Sequence, residues 1–447
     1  MATLFRELLS SGIFHGFLLT IVCLFTCFIQ TCPAQLTSSP SSMNRLELKG
    51  DAFKVLTGLD VLERDGFALL KGKKVGLVTN HSGLNRDGAQ NIDLMVKHDV
   101  NLVALFSPEH GIRGISDTHV DSTTDTKTGL PIYSLYGKTH RPTDEMLAGI
   151  DTLVFDIQDV GARFYTYIGT MGECMEVSAE KGITFMVLDR PNPIQGTWFD
   201  GPIQDDDLVG KSTAFRHMPV AHGMTVGELA QYFNKYRGRM CDEPGIGCKL
   251  AIVKMEGWNR SMYYDETGLP WVNPSPNLRS MDEELLYTMV ALIEANKNIS
   301  VGRGTDRPFE YLGAAWLDGE RFAQELLSRK LPGFWVMSTT FVPSLQDITG
   351  RKNYRYPFAE EVCQGVRFVV TNRHTVSPVA SGIHMLDALK KVGGEQVALD
   401  GLRGLVGAKW AIDALKQGEA PDTIINRWRE LPEFKAYARA RQSVLLY

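Results

Sequence analysis

The chain has 447 residues, of which 44% are hydrophobic and 22% are charged, and its formal net charge is −5 at pH 7. This composition is typical of a globular protein, and the length suggests two or three domains. The small net charge and the lack of a basic tract exclude the electrostatic pattern of a nucleic-acid-binding protein, so we expect no nucleic-acid partner.

The first 34 residues have the pattern of a secretory signal peptide. Arg6 lies near the start, residues 13–29 are strongly apolar, and small residues precede a cleavage point after Ala34. The apolar stretch is short for a membrane span, although an uncleaved anchor is the alternative. Ser, Thr and Pro residues then indicate a flexible leader over residues 35–50. The pattern predicts export to the periplasm or the cell exterior. It predicts no stable membrane insertion after signal removal and leaves a membrane tether open.

Four cysteines follow the signal, which is too few for a disulfide scaffold. Cys241 and Cys248 flank a turn-rich loop, so they could form a local disulfide or remain as buried thiols. No paired Cys or His motif of a metal site occurs in the sequence, so we predict no metal.

Short apolar runs alternate with helical patterns through the first half of the chain. Strands are predicted at residues 74–80, 102–106, 151–156 and 183–189, and helices near residues 92–96 and 171–181. Continuous apolar runs are typical of parallel strands buried on both faces, so the fold class is α/β with a Rossmann-like parallel sheet. No glycine-rich dinucleotide motif or phosphate loop follows the first strand, and we predict no cofactor.

The second half of the chain shows a different pattern. Thr225 and Glu228 form a capping-box signature for a helix start, and the two prolines within residues 271–277 predict a stiff loop. After residue 300, helices are predicted at residues 320–329, 383–392 and 408–417, with strands at 334–342 and 366–370. We therefore predict a catalytic domain over residues 51–300 and a smaller C-terminal α/β domain over residues 301–447.

The most informative motif follows the second predicted strand. Glu109 and His110 lie between Pro108 and Gly111, which restrict the backbone around them. Ligands of open α/β sheets bind beyond the carboxyl ends of the strands. The motif therefore indicates an acid/base centre, and the alternative is an ordinary solvated turn.

A second polar cluster follows the third predicted strand and contains Asp156, Gln158, Asp159, Arg163, Tyr165 and Tyr167. Carboxylates and amides bind sugar hydroxyls, aromatic faces cover the sugar ring, and an arginine binds an anionic substituent. In the alternative interpretation Asp156 caps the next helix and the aromatic rings pack in the core. Tyr165 and Tyr167 are expected on one face of a strand.

Further candidates lie at other predicted loops. Asp189 and Arg190 follow the fourth strand, where they could bind a ligand or pair with each other. The loop of residues 300–310 lies near the predicted domain boundary, where clefts bind ligands, but it could also be an interdomain ion-pair cluster. The remaining candidate binding residues are Asn80, Asn273, Asn277, Arg303, Arg307 and Glu310.

Six motifs in this order resemble a known family. They are Phe-Ser-Pro-Glu-His-Gly-Ile-Arg-Gly, Asp-Ile-Gln-Asp-Val-Gly-x-Arg-Phe-Tyr-Thr-Tyr, Leu-Asp-Arg-Pro-Asn-Pro, His-Gly-Met-Thr-Val-Gly-Glu-Leu-Ala, Pro-Ser-Pro-Asn and Ser-Val-Gly-Arg-Gly-Thr. Together they are similar to the exo-β-N-acetylmuramidase NamZ family, formerly a family of unknown function, over about residues 55–447.

The resemblance implies a Rossmann-like catalytic domain, a C-terminal auxiliary domain and a pocket between the two. It also implies release of N-acetylmuramic acid from the non-reducing end of peptidoglycan fragments during cell-wall recycling. The expected partners are peptidoglycan-derived disaccharides or glycan chain ends. The catalytic glutamate of the family corresponds to Glu109.

Glycoside hydrolysis needs a protonated carboxyl group for the leaving oxygen and a second group at the anomeric carbon. Glu109 is the candidate acid, with His110 or a nearby carboxylate adjusting its pKa. The second role is open: it belongs to the acetamido group of the substrate or to one of Asp156, Asp159 and Glu310. The lactyl carboxylate needs a cation, for which arginine is favoured. The candidates are Arg113, Arg163, Arg303 and Arg307.

The chain departs from the family pattern at residues 293–298, Ile-Glu-Ala-Asn-Lys-Asn, where Leu-Glu-Gly-Thr-Asn is expected, and in the loop after Gly114. The first departure would alter specificity if that turn lines the pocket. It also leaves open the alternative function, a non-catalytic muropeptide-binding protein on the same fold. A third possibility, an esterase, lacks the usual Gly-x-Ser-x-Gly motif.

Overall fold

The computed structural model describes residues 55–110, 112, 122–346 and 356–447, and residues from 53 onward form one compact unit. The predicted signal peptide, the leader, Arg113 and the altered loop after Gly114 lie outside the described residues.

The described strands form a large sheet, a smaller sheet and a short hairpin. The strands are β1 Val75–Thr79, β2 Leu102–Ser107, β3 Thr123–Thr124, β4 Pro131–Ser134, β5 Thr152–Asp156, β6 Thr184–Leu188, β7 Tyr236–Arg237, β8 Glu243–Pro244, β9 Lys249–Val253, β10 Tyr311–Ala314, β11 Phe334–Phe341 and β12 Cys363–Val370.

The large sheet has the order β3-β4-β2-β1-β5-β6-β9, and all its pairs are parallel except β3 with β4. The predicted α/β class with a mostly parallel sheet is confirmed. Successive residues of its strands enter opposite cores. Val78 and Phe155 belong to one hydrophobic cluster, and Leu77 and Val154 belong to the other. This alternation explains why the central strands are apolar along their whole length.

Helices cover both faces of the large sheet. Helix α1 (Gly58–Arg64) and α2 (Asn91–Lys97) contribute to one core, and α3 (Tyr167–Lys181) and α4 (Val226–Lys235) contribute to the other. The predicted capping box is present at the start of α4, where Thr225 and Glu228 bond each other's backbone. Helix α3 begins four residues before the predicted start and ends, as predicted, at Gly182 in the left-handed conformation (φ 67°).

The smaller sheet is antiparallel, with the order β10-β12-β11. The helices around it and toward the end of the chain are α5 Met281–Val290, α6 Gly319–Ser328, α7 Pro378–Gly393, α8 Arg403–Val406, α9 Lys409–Lys416, α10 Pro421–Glu430 and α11 Pro432–Gln442. Helix α11 packs back on the first half, where the Tyr437 hydroxyl donates to the His222 carbonyl oxygen at 2.7 Å. The domain boundary at residue 300 stays a prediction.

Cys241 and Cys248, like the other described cysteines, are free thiols, so the local disulfide is not formed. Burial raises the pKa of the Cys248 thiol to about 11. Within the described ranges, no helix combines the length and the apolar character that a membrane crossing requires.

Candidate active site

Strand β1 lies between β2 and β5 in the large sheet, so the strand order reverses there: β2 is added on one side of β1 and β5 on the other. Such a point opens a crevice beyond the carboxyl ends of the strands. The loops after β1 and β5 are joined there by Ser82. Its Oγ accepts a hydrogen bond from the backbone N–H of Gln158 at 3.0 Å and donates one to Asn80 Oδ1 at 2.6 Å. The loops that carry two of the predicted binding residues, Asn80 and Gln158, therefore meet at one edge of the sheet.

Glu109 lies two residues after the end of β2 and is half-buried. The hydroxyl of Thr166, the residue before α3, donates to Glu109 Oε2 at 2.5 Å. His110 is buried and holds a left-handed backbone (φ 70°), which is a strained conformation for a residue with a side chain. Such strain often occurs at functional sites and requires support from the surrounding structure.

Aromatic residues form a wall beside Glu109. The hydroxyls of Tyr165 and Tyr167 both donate to the Pro274 carbonyl oxygen, at 2.8 and 2.9 Å. Tyr165 also packs against Tyr287 of α5, with 6.1 Å between ring centroids. Burial raises the pKa of Tyr165 well above its usual value, so its hydroxyl stays a neutral donor. The two tyrosines do not share a strand face as predicted, because Tyr167 begins α3 and Tyr165 lies in the preceding turn.

His81 is a site residue that the sequence interpretation missed. Its Nε2 lies 2.6 Å from the Asn273 carbonyl oxygen, and its Nδ1 is buried without a hydrogen-bond partner. Burial lowers the pKa of His81, and the nearby His110 adds to the shift. A neutral ring whose Nε2 donates to a carbonyl leaves Nδ1 as an acceptor. The signal available was its position directly after the strand-end pair Thr79-Asn80.

Asp159 differs from the other predicted carboxylates. Its Oδ2 accepts from the Gly161 amide at 2.8 Å and lies 3.0 Å from His222 Nε2. Its Oδ1 is buried and has no hydrogen-bond partner. The side chain is therefore fixed by one oxygen while the other can receive a donor from a ligand.

Asp156 is fully buried and its two oxygens are both occupied. Oδ1 lies 2.6 Å from Arg190 Nε, and Oδ2 accepts from Asn91 Nδ2 at 2.7 Å. Arg190 thus pairs with Asp156 rather than with the side chain of Asp189. This environment favours a structural role for Asp156, which needs its ion pair to stay buried.

Asp189 is also fully buried. It accepts hydrogen bonds from the Gly227 amide and from the hydroxyls of Thr225 and Tyr447, at 2.7, 2.9 and 2.7 Å. Burial raises the pKa of Asp189 to about 7. Its contacts join β6, the start of α4 and the last described residue, so they hold the fold together.

The four candidate arginines have different surroundings. Arg163 is buried and donates to the carbonyl oxygens of Thr213 and Leu405, at 2.9 and 2.6 Å, and burial lowers its pKa to about 10. Arg307 lies 3.2 Å from Glu310, which also pairs with Arg367 at 2.9 Å. Glu310 is thus held in an ion-pair cluster, but its two partners lie in the same predicted C-terminal domain, so the cluster is not the interdomain one of the alternative interpretation. Arg113 lies outside the described residues.

Arg303 is the candidate cation beside the aromatic wall. Its guanidinium carbon lies 5.9 Å from the centroid of Phe309, whose ring packs 4.9 Å from that of Tyr287. Its Nε lies 2.8 Å from Glu294. Glu294 belongs to the turn that departs from the family pattern. The asparagines of that turn, Asn296 and Asn298, donate to carbonyl oxygens of residues 398 and 396.

The predicted amides serve mainly as local connections. Gln158 Nε2 donates to the Asp159 and Pro191 carbonyl oxygens, both at 2.8 Å, and its Oε1 is buried without a partner. Asn273 Oδ1 accepts from Trp271 Nε1 at 2.8 Å, and Asn277 is buried. Across the described ranges, no group of three His, Cys, Asp or Glu side chains is arranged to hold a metal ion.

Comparison with known proteins identifies the family. Residues 75–282 match the family model described as exo-β-N-acetylmuramidase NamZ, N-terminal, and residues 285–447 match the C-terminal model. This chain belongs to the NamZ family. It is 39% identical over 417 residues to peptidoglycan β-N-acetylmuramidase NamZ of Bacillus subtilis, with 92% of this chain and 95% of that protein covered.

Solved structures give the same result. The fold is similar to that of a DUF1343 family protein of Bacteroides fragilis at 33% identity and a TM-score of 0.79, covering 89% of this chain and all of the other. A second DUF1343 family protein of that organism matches at 29% identity and a TM-score of 0.70, covering 88% and 99% of the two chains. The NamZ resemblance noted from the six motifs is confirmed.

Proposed function

We propose that this protein is an exported exo-β-N-acetylmuramidase that releases N-acetylmuramic acid from the non-reducing ends of peptidoglycan fragments. The chain is a glycoside hydrolase of the NamZ family, and its Bacillus subtilis relative is a peptidoglycan β-N-acetylmuramidase. The observation that carries the proposal is the position of Glu109, a half-buried carboxyl at the switch point of the sheet.

Glu109 acts as the general acid. Its carboxyl group protonates the glycosidic oxygen as the bond to the anomeric carbon breaks, and a water oxygen completes the hydrolysis by bonding to that carbon while its proton returns to the enzyme. The Thr166 hydroxyl holds Oε2, which fixes the plane of the carboxyl group and leaves Oε1 for the substrate. Such positioning lowers the entropic part of the barrier, because the acid needs no reorientation in the transition state.

Asp159 is the second carboxylate that faces the substrate. Of the three candidates, Asp156 and Glu310 are each engaged by arginines, whereas Asp159 keeps a buried oxygen without a partner. The acetamido N–H of N-acetylmuramic acid is a donor that Oδ1 can accept. Asp159 would then orient the acetamido group beside the anomeric carbon.

Arg303 binds the lactyl carboxylate. Among the described candidates it is the one beside the aromatic wall, while Arg163 is bound to backbone carbonyls and Arg307 to Glu310. Glu294 holds the guanidinium in place and occupies part of its hydrogen-bonding capacity. A planar guanidinium with five donors can still bind a carboxylate with two parallel bonds.

Export rests on the N-terminal pattern alone, with its apolar stretch over residues 13–29 and small residues before Ala34. A reporter enzyme active only outside the cytoplasm, fused after Ala34, should gain activity. Replacing two apolar residues of the stretch with arginines should abolish that activity. Equal reporter activity with and without the arginines would contradict export.

The decisive experiment uses two isomeric disaccharides. The protein should split N-acetylmuramic acid–β-1,4–N-acetylglucosamine into its two sugars, as detected by mass spectrometry. The reversed isomer, with N-acetylglucosamine at the non-reducing end, should remain intact. A folded protein that cleaves neither isomer, or both at similar rates, would refute the assignment.

A further inference from the structure

Helix α5 brings a carboxyl group to the crevice that no motif pointed to. Glu284 is 1% exposed, and its Oε2 is buried without a hydrogen-bond partner. Tyr287, which contacts the aromatic wall, lies three residues further on the same helix. Residues three apart share a helix face, so Glu284 faces the same side of α5 as Tyr287.

Glu284 lies close to Asp159 without bonding it. Burial is the main cause that raises the pKa of Glu284 well above its usual value, and the negative charge of Asp159 adds to it. Burial is also the main cause that raises the pKa of Tyr287, and the charges of Glu294, Glu109 and Asp159 add to it. The charges of Asp159 and Glu109 thus act on the tyrosine that shares a helix face with Glu284.

The two carboxyl groups have complementary hydrogen-bonding characters. Asp159 is anchored through Oδ2 by the Gly161 amide and His222, so its Oδ1 is an acceptor. Burial favours the uncharged form of the Glu284 carboxyl group, and that form carries an O–H donor. Buried polar groups normally have partners, and two adjacent exceptions require an explanation such as a missing ligand.

A secondary amide matches this pair. It offers one N–H donor and one carbonyl acceptor on opposite edges, so it fits between an acceptor oxygen and a donor oxygen that do not touch each other. We propose that Glu284 and Asp159 together bind the acetamido group of the substrate, with Glu284 donating to its carbonyl oxygen and Asp159 accepting its N–H. This inference rests on the proposed function and adds Glu284 as a substrate-binding residue.

The test compares two substrates in three proteins. The substrates are the aryl β-glycoside of N-acetylmuramic acid and its analogue with a hydroxyl in place of the acetamido group. The proteins are wild type, Glu284→Leu, which removes the donor, and Glu284→Gln, which is neutral and keeps a donor. Thermal unfolding of each variant checks the fold.

Glu284→Leu should lower kcat/KM by about 10- to 100-fold for the acetamido substrate, the effect of losing a buried hydrogen bond, and by less than about 3-fold for the analogue. The kcat/KM of Glu284→Gln should stay within about 5-fold of the wild-type value for both substrates. Equal losses on the two substrates in Glu284→Leu would show a merely structural role. A large loss in Glu284→Gln would show that the ionised carboxylate is needed. Either result would overturn the inference.

A binding measurement separates this inference from the proposed hydrolysis. By calorimetry, the wild type should bind free N-acetylmuramic acid more tightly than 3-O-lactylglucose, which lacks the acetamido group, and Glu284→Leu should lose that preference. If the preference is found in a protein that cleaves no muramide, the hydrolase assignment fails while the acetamido site stands. If the wild type shows no preference, the acetamido site is refuted.

Discussion

The end of β2 and the end of β5 lie at the same edge of one sheet, and both present a carboxylate. Asp156 at the end of β5 is fully buried, and Arg190 and Asn91 occupy its two oxygens. Glu109 beyond β2 is half-buried, and a single hydroxyl holds one of its oxygens. Position at a strand end therefore does not decide the role of a carboxylate; its remaining hydrogen-bonding capacity does.

The comparison extends to β6 and to the loop after β5. Asp189 resembles Asp156, because three donors from other parts of the chain surround it. Asp159 resembles Glu109, because one of its oxygens is left without a protein partner. The same edge thus alternates between carboxylates that hold the fold and carboxylates that face the crevice.

The largest effect is expected at Glu109. Glu109→Gln keeps the shape and the Thr166 contact but removes the proton donor, so kcat should fall by about 10³-fold, within the range typical of a general acid. The midpoint of thermal unfolding should change little, because the side chain is half-buried and unpaired by any described arginine or lysine. Steady-state kinetics on the aryl glycoside measure kcat, and calorimetry measures the midpoint of thermal unfolding. Turnover near that of wild type would contradict the role of Glu109.

At Asp156 the effect should fall on stability. Asp156→Ala leaves Arg190 buried without its counter-charge, which should lower the free energy of unfolding by about 3–5 kcal/mol. Urea denaturation measures the loss. The matched control is Asp413→Ala, which removes the exposed Lys409–Asp413 pair and should leave the urea midpoint almost unchanged. A stable but inactive Asp156→Ala protein would show that Asp156 acts in catalysis and not in stability, which would contradict the comparison between the two strand ends.

The elements that the sequence predicted well are those buried on both faces. β1, β2, β5 and β6 stand out as continuous apolar runs, and α4 by its capping box. β4 is only four residues long, and α10 and α11 carry many charges around few apolar positions, so their patterns were too weak to assign. Complete burial was not required everywhere, because β11, in which two of the eight residues are buried, was predicted at residues 334–342.

The site was predictable only in part, for a similar reason. Glu109 stands out because its loop is bracketed by Pro108 and Gly111. Tertiary packing brings Arg190 to Asp156, which is 34 residues away in the sequence, and His81 to Asn273, which is 192 residues away. The sequence placed the polar groups at the sheet edge, but only packing separates those bound by the protein from those left for a ligand.

A smaller effect is expected from the partner of Glu109. Thr166→Val is nearly isosteric and removes the hydroxyl that donates to Glu109 Oε2. Because the hydrogen bond that fixes the plane of the Glu109 carboxyl group is lost, kcat should fall about 10-fold. Thr166→Ser keeps the hydroxyl and should restore most of the rate. The Thr166 side chain does not cap α3, so stability should not change. A loss of stability without a loss of kcat would show that Thr166 stabilises the fold and does not position Glu109.

The most gradual effect is the pH dependence at Asp189. Burial raises the pKa of this carboxyl from 3.8 to about 7 in the folded protein. Between about pH 4 and pH 7 the folded protein therefore holds a proton that the unfolded chain has released. The contribution of Asp189 to stability is largest below pH 4 and falls as the pH rises, by at most about 1.4 kcal/mol per pH unit.

Asp189→Asn isolates this contribution, because an amide keeps an acceptor for the Gly227 N–H and does not titrate. Urea denaturation of both proteins between pH 4.5 and pH 8 gives the difference in unfolding free energy, wild type minus variant. That difference should decrease toward pH 7 and then level off, since above the folded pKa both states of the wild type have lost the proton. A difference independent of pH would show that Asp189 is ionised throughout, so that its hydrogen-bond donors outweigh its burial. The end of β6 would then be a charged centre like that of β5.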